Sequence, residues 1–200
     1  MKRVARKTAP QVKAGNVQKK NNWELTRDYY ISEQPELIID RQRPGNGYRH
    51  LLSQSDVVRF ISIIPDWDKH SVGLNAVVLA PGYKDYFGYY NPGVISLCAW
   101  ALDDALTVSA GYYERESKIL QLLDISCWPQ GNGEWKLDFD ADTARAYVLL
   151  SVFLHELGHH NDYTNTRNPR KANRGEVYAD DFALNLATQL WPRYQKLFSI

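Results

Sequence analysis

Residues 144–157 read ARAYVLLSVFLHEL, with apolar side chains on nearly every side of a helical projection. A helix that is apolar all round has no solvent face, so the rest of the chain must wrap it. This stretch constrains the fold more than any other: it predicts a buried helix of about five turns with other layers built around it. In LDFDAD (137–142), Asp140 or Asp142 can cap the helix, and acids suit its positive end. The same acids do not make a calcium loop. Counted from Asp138, Thr143 falls at the glycine position and Leu149 at the bidentate-acid position.

The rest of the chain alternates short extended and helical signals, which predicts an α+β domain. Residues 41–49, RQRPGNGYR, read as a loop. Residues 53–67 can start a short helix at Ser55 that Pro65 would end, although their β-branched content also permits a strand. SVGLNAVVLAP (71–81) reads as a strand. FGYYNPGVISLCAW (87–100) reads as two extended pieces around a turn at Asn91-Pro92-Gly93. Residues 114–125 fit either helix or strand, and GNG at 131–133 is a turn. Beyond the buried helix comes a polar connection, 161–174, and then a second helix over residues 175–190 that Pro192 limits.

Hydrophobic residues make up 44% of the 200 and aromatics 12%, enough to fill the core of one domain. The net charge of +1 hides an asymmetry. Residues 1–22 hold seven Lys or Arg and no acid, which leaves −6 for residues 23–200. The arm lacks an apolar core of the secretory type. It reads as a flexible solubilising tail, or as a tether to nucleic acid or another acidic surface. Residues 23–200 read as the domain proper. No stretch approaches the length needed to span a bilayer; the longest apolar run, 147–154, is broken by Ser151. Two cysteines, Cys98 and Cys127, cannot make a disulfide scaffold, and they point to a reducing, cytoplasmic setting.

Three of the five histidines fall in HELGHH, residues 155–160. On a helix, positions i and i+4 lie one above the other, so His155 and His159 can point at one ion. Glu156 lies to the side, where it can reach a water on that ion. Zinc suits two imidazoles and needs no redox change. A catalytic zinc site needs a third protein ligand, and GEVYADDFA (175–183) offers Glu176, seventeen residues beyond His159. Asp180 follows at i+4 on the same face and can orient a ligating imidazole. Gly158, Ala179 and Ala183 are small enough to let the two helices approach closely. His50 and His70 stand alone, without metal spacing. No phosphate-binding glycine loop and no G-x-S-x-G is present, so nucleotide and serine chemistry gain no support.

HELGH followed by ExxADxFA, here Glu176 to Ala183, resembles the gluzincin group of zinc metallopeptidases. The style is that of the short ImmA/IrrE-type enzymes and of the membrane-associated peptidases that carry HELGH with ExxAD. The resemblance covers residues 155–183. It implies a zincin-like fold: a mixed, mainly antiparallel sheet packed on the HExxH helix, with a second helix supplying the glutamate. It also implies that His155, His159 and Glu176 hold Zn2+, that Glu156 is the general base, that Asp180 supports a histidine, and that the substrate is a peptide or protein. In zincins an edge strand above this helix pairs with the substrate main chain, which singles out Gly93, Val94, Ile95, Ser96 and Leu97. His160, Tyr163 and Tyr178 are candidates to steady the oxyanion, although His160 reads rather as an exposed histidine at the helix end. The aromatic run GYKDYFGYY (82–90) can line a cleft or pack a hairpin.

Two other readings exist. Peptide deformylase also carries H-E-x-x-H, with a cysteine ligand, but ISLCAW around Cys98 does not match its EGCLS, and Glu176 would lack a purpose. A zinc-binding sensor or interaction module, associated with nucleic acid through the arm, would not require Glu156.

Overall fold

The computed structural model of the chain describes residues 12–13, 16–17, 28–102, 105–166 and 175–200. The basic arm therefore lies outside the described residues, apart from an antiparallel pairing of Val12–Lys13 with Asn16–Val17.

The elements are β1 (Ile38–Arg41), helix α1 (Gln54–Ile61), β2 (Ala76–Ala80), β3 (Gly88–Asn91), β4 (Val94–Cys98), β5 (Ala105–Ser109), α2 (Ala110–Leu122), β6 (Ser126–Gly131) and β7 (Glu134–Asp138). Three joined helical pieces follow: α3 (Ala141–Tyr147), a π-helical segment (Val148–Phe153) and α4 (Leu154–Asn165). The last element is α5 (Gly175–Phe198). The chain is thus α+β with mixed sheets.

The central sheet has the order β1-β2-β4-β3. β1, β2 and β4 run parallel to one another, and β3 alone is antiparallel, folded back on β4 through the turn at Gly93. This differs from the mainly antiparallel expectation for the sheet beside the buried helix. The reason is the connection: the segment between β1 and β2 carries α1, and a crossover of that length returns the chain in the same direction. Antiparallel pairing dominates instead in a second sheet, β6-β7-β5.

Side chains alternate across β2 and β4 as the pleat requires. Val77, Leu79, Ile95 and Leu97 enter the main core with Phe60, Tyr147, Phe153 and Leu157. Ala76, Val78, Ala80 and Val94 face the other side, where Tyr29 packs on them. Tyr29 donates to Asp40 Oδ2 at 2.8 Å. From Ala144 to Leu154 the long helix is buried except for Arg145, as its all-round apolarity predicts. Its cap is Asp140, which accepts from the Asp142 and Thr143 amides at 3.0 and 2.7 Å.

Local expectations hold in part. Within residues 53–67 the helix spans Gln54–Ile61; Ser53 rather than Ser55 caps it, in a reciprocal box with Asp56, and it ends at Ile61, before Pro65 is reached. Residues 114–125 resolve as helix through Leu122 and start earlier, at Ala110. Pro192 does not end the last helix, which runs on to Phe198. Pro192 lacks an N–H, so the ladder loses one bond there. Packing beyond it holds the helix: Tyr194 is buried with its ring 6.1 Å from that of Phe60, and the Arg59 guanidinium lies 4.9 Å over the Phe198 ring and donates to the Leu197 carbonyl. No helix among the described residues is long and apolar enough to cross a membrane.

Candidate functional site

The two helices carrying the motif pack along each other with almost no space between them. A methyl group added at Gly158 would sit 2.9 Å from the Ala179 Cα. That contact brings the first turn of α5 beside the histidines of α4. His155 Nε2 and His159 Nε2 are 3.0 Å apart, and Glu176 oxygens lie 3.2 Å from the first and 3.5 Å from the second. Among the described residues these three form the one group placed to hold a metal ion, with ligand atoms within 4.8 Å of one another.

The spacing can be tested against coordination chemistry. Tetrahedral bonds of about 2.0–2.1 Å place neighbouring donor atoms about 3.3 Å apart. The three observed separations bracket that value. Two imidazole nitrogens with one carboxylate also form a donor set suited to a divalent transition ion.

Protonation agrees. Asp180 Oδ1 lies 2.9 Å from His155 Nδ1 and accepts a hydrogen bond from it, so the Nε2 lone pair faces the site. Burial, followed by the neighbouring His155, lowers the His159 pKa and favours the neutral, ligating imidazole. The negative charges of Glu176, Asp162 and Asp180 act the other way. Asp162 is buried on α4, three residues beyond His159. The sequence reading missed it, although an acid at i+3 from a ligating histidine was the available signal.

Glu156 is not part of the ligand cluster. It is buried beside it, and that burial, reinforced by the charge of Glu176, pushes its carboxyl up to about 8. Close packing by β3 explains the burial. A Cβ built on Gly88 would stand 2.5 Å from Val152 Cγ1 and 3.2 Å from Glu156 Oε1, so only glycine lets the strand pass this close.

The strand beside the site is therefore Gly88–Asn91, not residues 93–97. Val94, Ile95, Ser96 and Leu97 are fully buried in β4, which pairs with β2 on one side and β3 on the other. Gly93 forms the turn at φ +77, with its carbonyl accepting from the Asn75 amide at 2.7 Å. These five residues have no free strand edge to offer. VISLC lacks a polar alternation, the pattern of a strand covered on both faces. β3 is the edge: beyond it no strand pairs among the described residues.

A cleft of about 610 Å3 lies along β3, bordered by Tyr90, His155, Glu156, His159 and Tyr163. A recess of about 430 Å3 adjoins it, sharing Gly88, His155, Glu156 and Glu176. Tyr86 and Phe87 border the recess, while Tyr83 and Tyr86 stack on each other at 4.7 Å.

The three oxyanion candidates separate. His160 is wholly buried rather than exposed at a helix end: Nε2 donates to the Val72 carbonyl at 3.1 Å, and Nδ1 accepts from the Tyr90 hydroxyl at 3.1 Å. With both nitrogens engaged it is a structural clamp. The Tyr90 hydroxyl also accepts from the Gly93 amide at 3.1 Å, tying the β3–β4 turn to α4. The Tyr178 ring lies tilted 6.1 Å from that of Phe182 and borders neither the cleft nor the recess. Tyr163 borders the cleft, two turns beyond His155 on the same helical face.

His50 donates to the Gln42 carbonyl at 2.8 Å and His70 pairs with Asn161 Oδ1 at 2.9 Å, both away from the ligands. Cys98 and Cys127 are free thiols, and burial pushes the first up to about 12. No protein-family model matches the chain, and no curated protein and no solved structure matches it.

Proposed function

We propose that this chain is a zinc-dependent peptidase of zincin-like architecture. The observation that carries the reading is the three-donor cluster of His155, His159 and Glu176 with an uncoordinated, buried Glu156 beside it. A structural zinc site is normally closed by four protein ligands, whereas a catalytic one keeps a position open. The cluster offers three. A sensor or binding module would also gain nothing from a buried carboxyl beside the ligands.

A zinc ion held there supplies Lewis acidity, acidifying a water and polarising the scissile carbonyl. The residues of the chain do the rest. Glu156, buried beside the three donors, would hold the proton of an attacking water and pass it to the leaving amine. Asp180 keeps His155 in its ligating tautomer. The outer edge of Gly88–Asn91 holds an extended peptide by main-chain hydrogen bonds. Tyr163 is the hydroxyl best placed to steady the oxyanion.

Elemental analysis of purified wild-type protein beside Glu176→Gln tests the reading, followed by a peptide-library screen with Glu156→Gln as the inactive control. The expected result is one zinc per wild-type chain, weakened or lost in Glu176→Gln, and cleavage abolished in Glu156→Gln. No zinc in either protein after reloading at neutral pH refutes the site. Zinc binding without any Glu156-dependent cleavage refutes the peptidase.

A further inference from the structure

We propose that the recess beside His155 and Glu156 receives a basic side chain of the substrate, with Glu116 as the specificity-determining residue; this rests on the peptidase reading. The recess, at about 430 Å3, falls in the range of about 300–1,000 Å3 usual for ligand pockets. Its walls include Phe87, Tyr112, Ile119, Val152 and Leu184. Among these apolar groups stands the carboxylate of Glu116, whose side chain is only 13% exposed.

The surrounding hydroxyls fix this carboxylate without neutralising it. Tyr147 and Ser151 each donate to Oε2 at 3.0 Å. Oε1 faces Arg115 Nε at 3.9 Å, the outer reach of an ion pair, and makes no hydrogen bond among the described residues. Arg115 is half exposed, shared with Asp180 at 4.0 Å, and lies 5.3 Å over the Tyr112 ring, so it borders the recess without filling it. One carboxylate oxygen beside an apolar wall is left for an incoming donor. A lysine or arginine side chain meets both demands: its methylene stem covers apolar wall and its head reaches the carboxylate. Arg115 and Lys118 border the same recess, but an acidic side chain would also meet Glu116, Asp85, Glu114 and Asp181 there, so acids outweigh bases around it.

The test uses zinc-loaded full-length protein and peptides that differ at one position flanking the cleaved bond. Arginine is compared with citrulline, lysine with norleucine, and glutamate is included. The expected result is a kcat/KM at least about tenfold higher for each basic residue than for its neutral isostere, lost in Glu116→Gln, which keeps an acceptor for Tyr147 and Ser151. Zinc content and the unfolding midpoint of the variant check that it is folded. The substrate series on wild type stands even if the variant does not fold. Equal rates for arginine and citrulline, a basic preference that survives Glu116→Gln, or a preference for glutamate would each overturn the proposal. If wild type cuts no peptide, the peptidase reading fails separately. The subsite is then read by fluorescence anisotropy of the same labelled peptides on Glu156→Gln: about tenfold tighter binding of arginine than citrulline supports it, and equal affinity overturns it.

Discussion

Replacing Gly158 by alanine tests how closely the metal centre depends on the contact between its two helices. The added methyl would stand 2.9 Å from the Ala179 Cα and 3.3 Å from both its Cβ and its carbonyl oxygen. Carbon atoms rest at about 3.5–4.0 Å, so the helices must part by roughly 0.6 Å or more at this point. Two of the three contacts are with backbone, so no side-chain rotation relieves them. Overpacking of this kind costs about 1–3 kcal/mol. The helix propensity of alanine returns about 1 kcal/mol. With backbone on the far side the upper part of the range applies, leaving a net loss of about 1–2 kcal/mol in urea unfolding of chelator-treated protein. The metal should register the change more sharply. Glu176 precedes Ala179 by less than one turn, so it retracts with it. Ligand distances tolerate only about ±0.2 Å, so zinc affinity should fall at least about tenfold against a chromogenic chelator. Ala179→Gly in the same chain removes the Cβ contact but leaves the Cα, so the double variant should recover only a small part of either loss. A Gly158→Ala protein as stable as wild type, with unchanged zinc affinity, would refute the reasoning.

Three further outcomes are expected. Asp180→Asn, which weakens the acceptor on His155 Nδ1, should lower zinc affinity about 10–100-fold with little change in unfolding midpoint, as read by chelator competition. Tyr90→Phe keeps the ring but removes the link between His160 and the Gly93 amide; KM for an extended peptide should rise more than kcat falls, in steady-state kinetics. In chelator-treated protein, Glu156→Gln should be the more stable chain at neutral pH. The folded carboxyl keeps its proton to about 8, whereas its ordinary value is 4.5, so the unfolded state binds fewer protons in that window and stability falls as pH rises through it. That fall, at most about 1.4 kcal/mol per pH unit, should be absent from urea titrations of Glu156→Gln.

The ligand cluster was legible because it is local. Helical spacing puts His155 above His159, and one helix start seventeen residues on supplies Glu176. The buried helix and its Asp140 cap were legible for the same reason. What could not be read depends on contacts between distant segments. VISLC and GYYN are adjacent extended pieces, and nothing within either says which lies at the sheet edge. That is decided by β2, which occupies the far side of β4. Glu116 looks like any surface acid on a helix until α2 packs it against Tyr147 and Ser151. His160 reads as an exposed helix-end residue because Val72 and Tyr90, which enclose it, are 88 and 70 residues away. Pro192 reads as a helix stop because propensity does not include Phe60 and Arg59, which hold the continuation in place.

The π-helical segment Val148–Phe153 ends two residues before His155. A π turn closes its hydrogen bond one residue later than an α turn. Relative to an uninterrupted α-helix, such a widening shifts the phase of everything downstream by about one residue, or about 100° of rotation. Tyr147, which holds Glu116, lies before the segment, and the two ligating histidines lie after it. The segment therefore sets the rotational phase between the proposed substrate recess and the candidate metal ligands. Were residues 148–153 wound as ordinary α-helix at the same length, composition, apolarity and the HELGH string would be unchanged, yet the histidines would turn about 100° away from Glu176; deleting one residue while closing to α would cancel that turn. An intact motif downstream of such a rewound segment would be a site in spelling only.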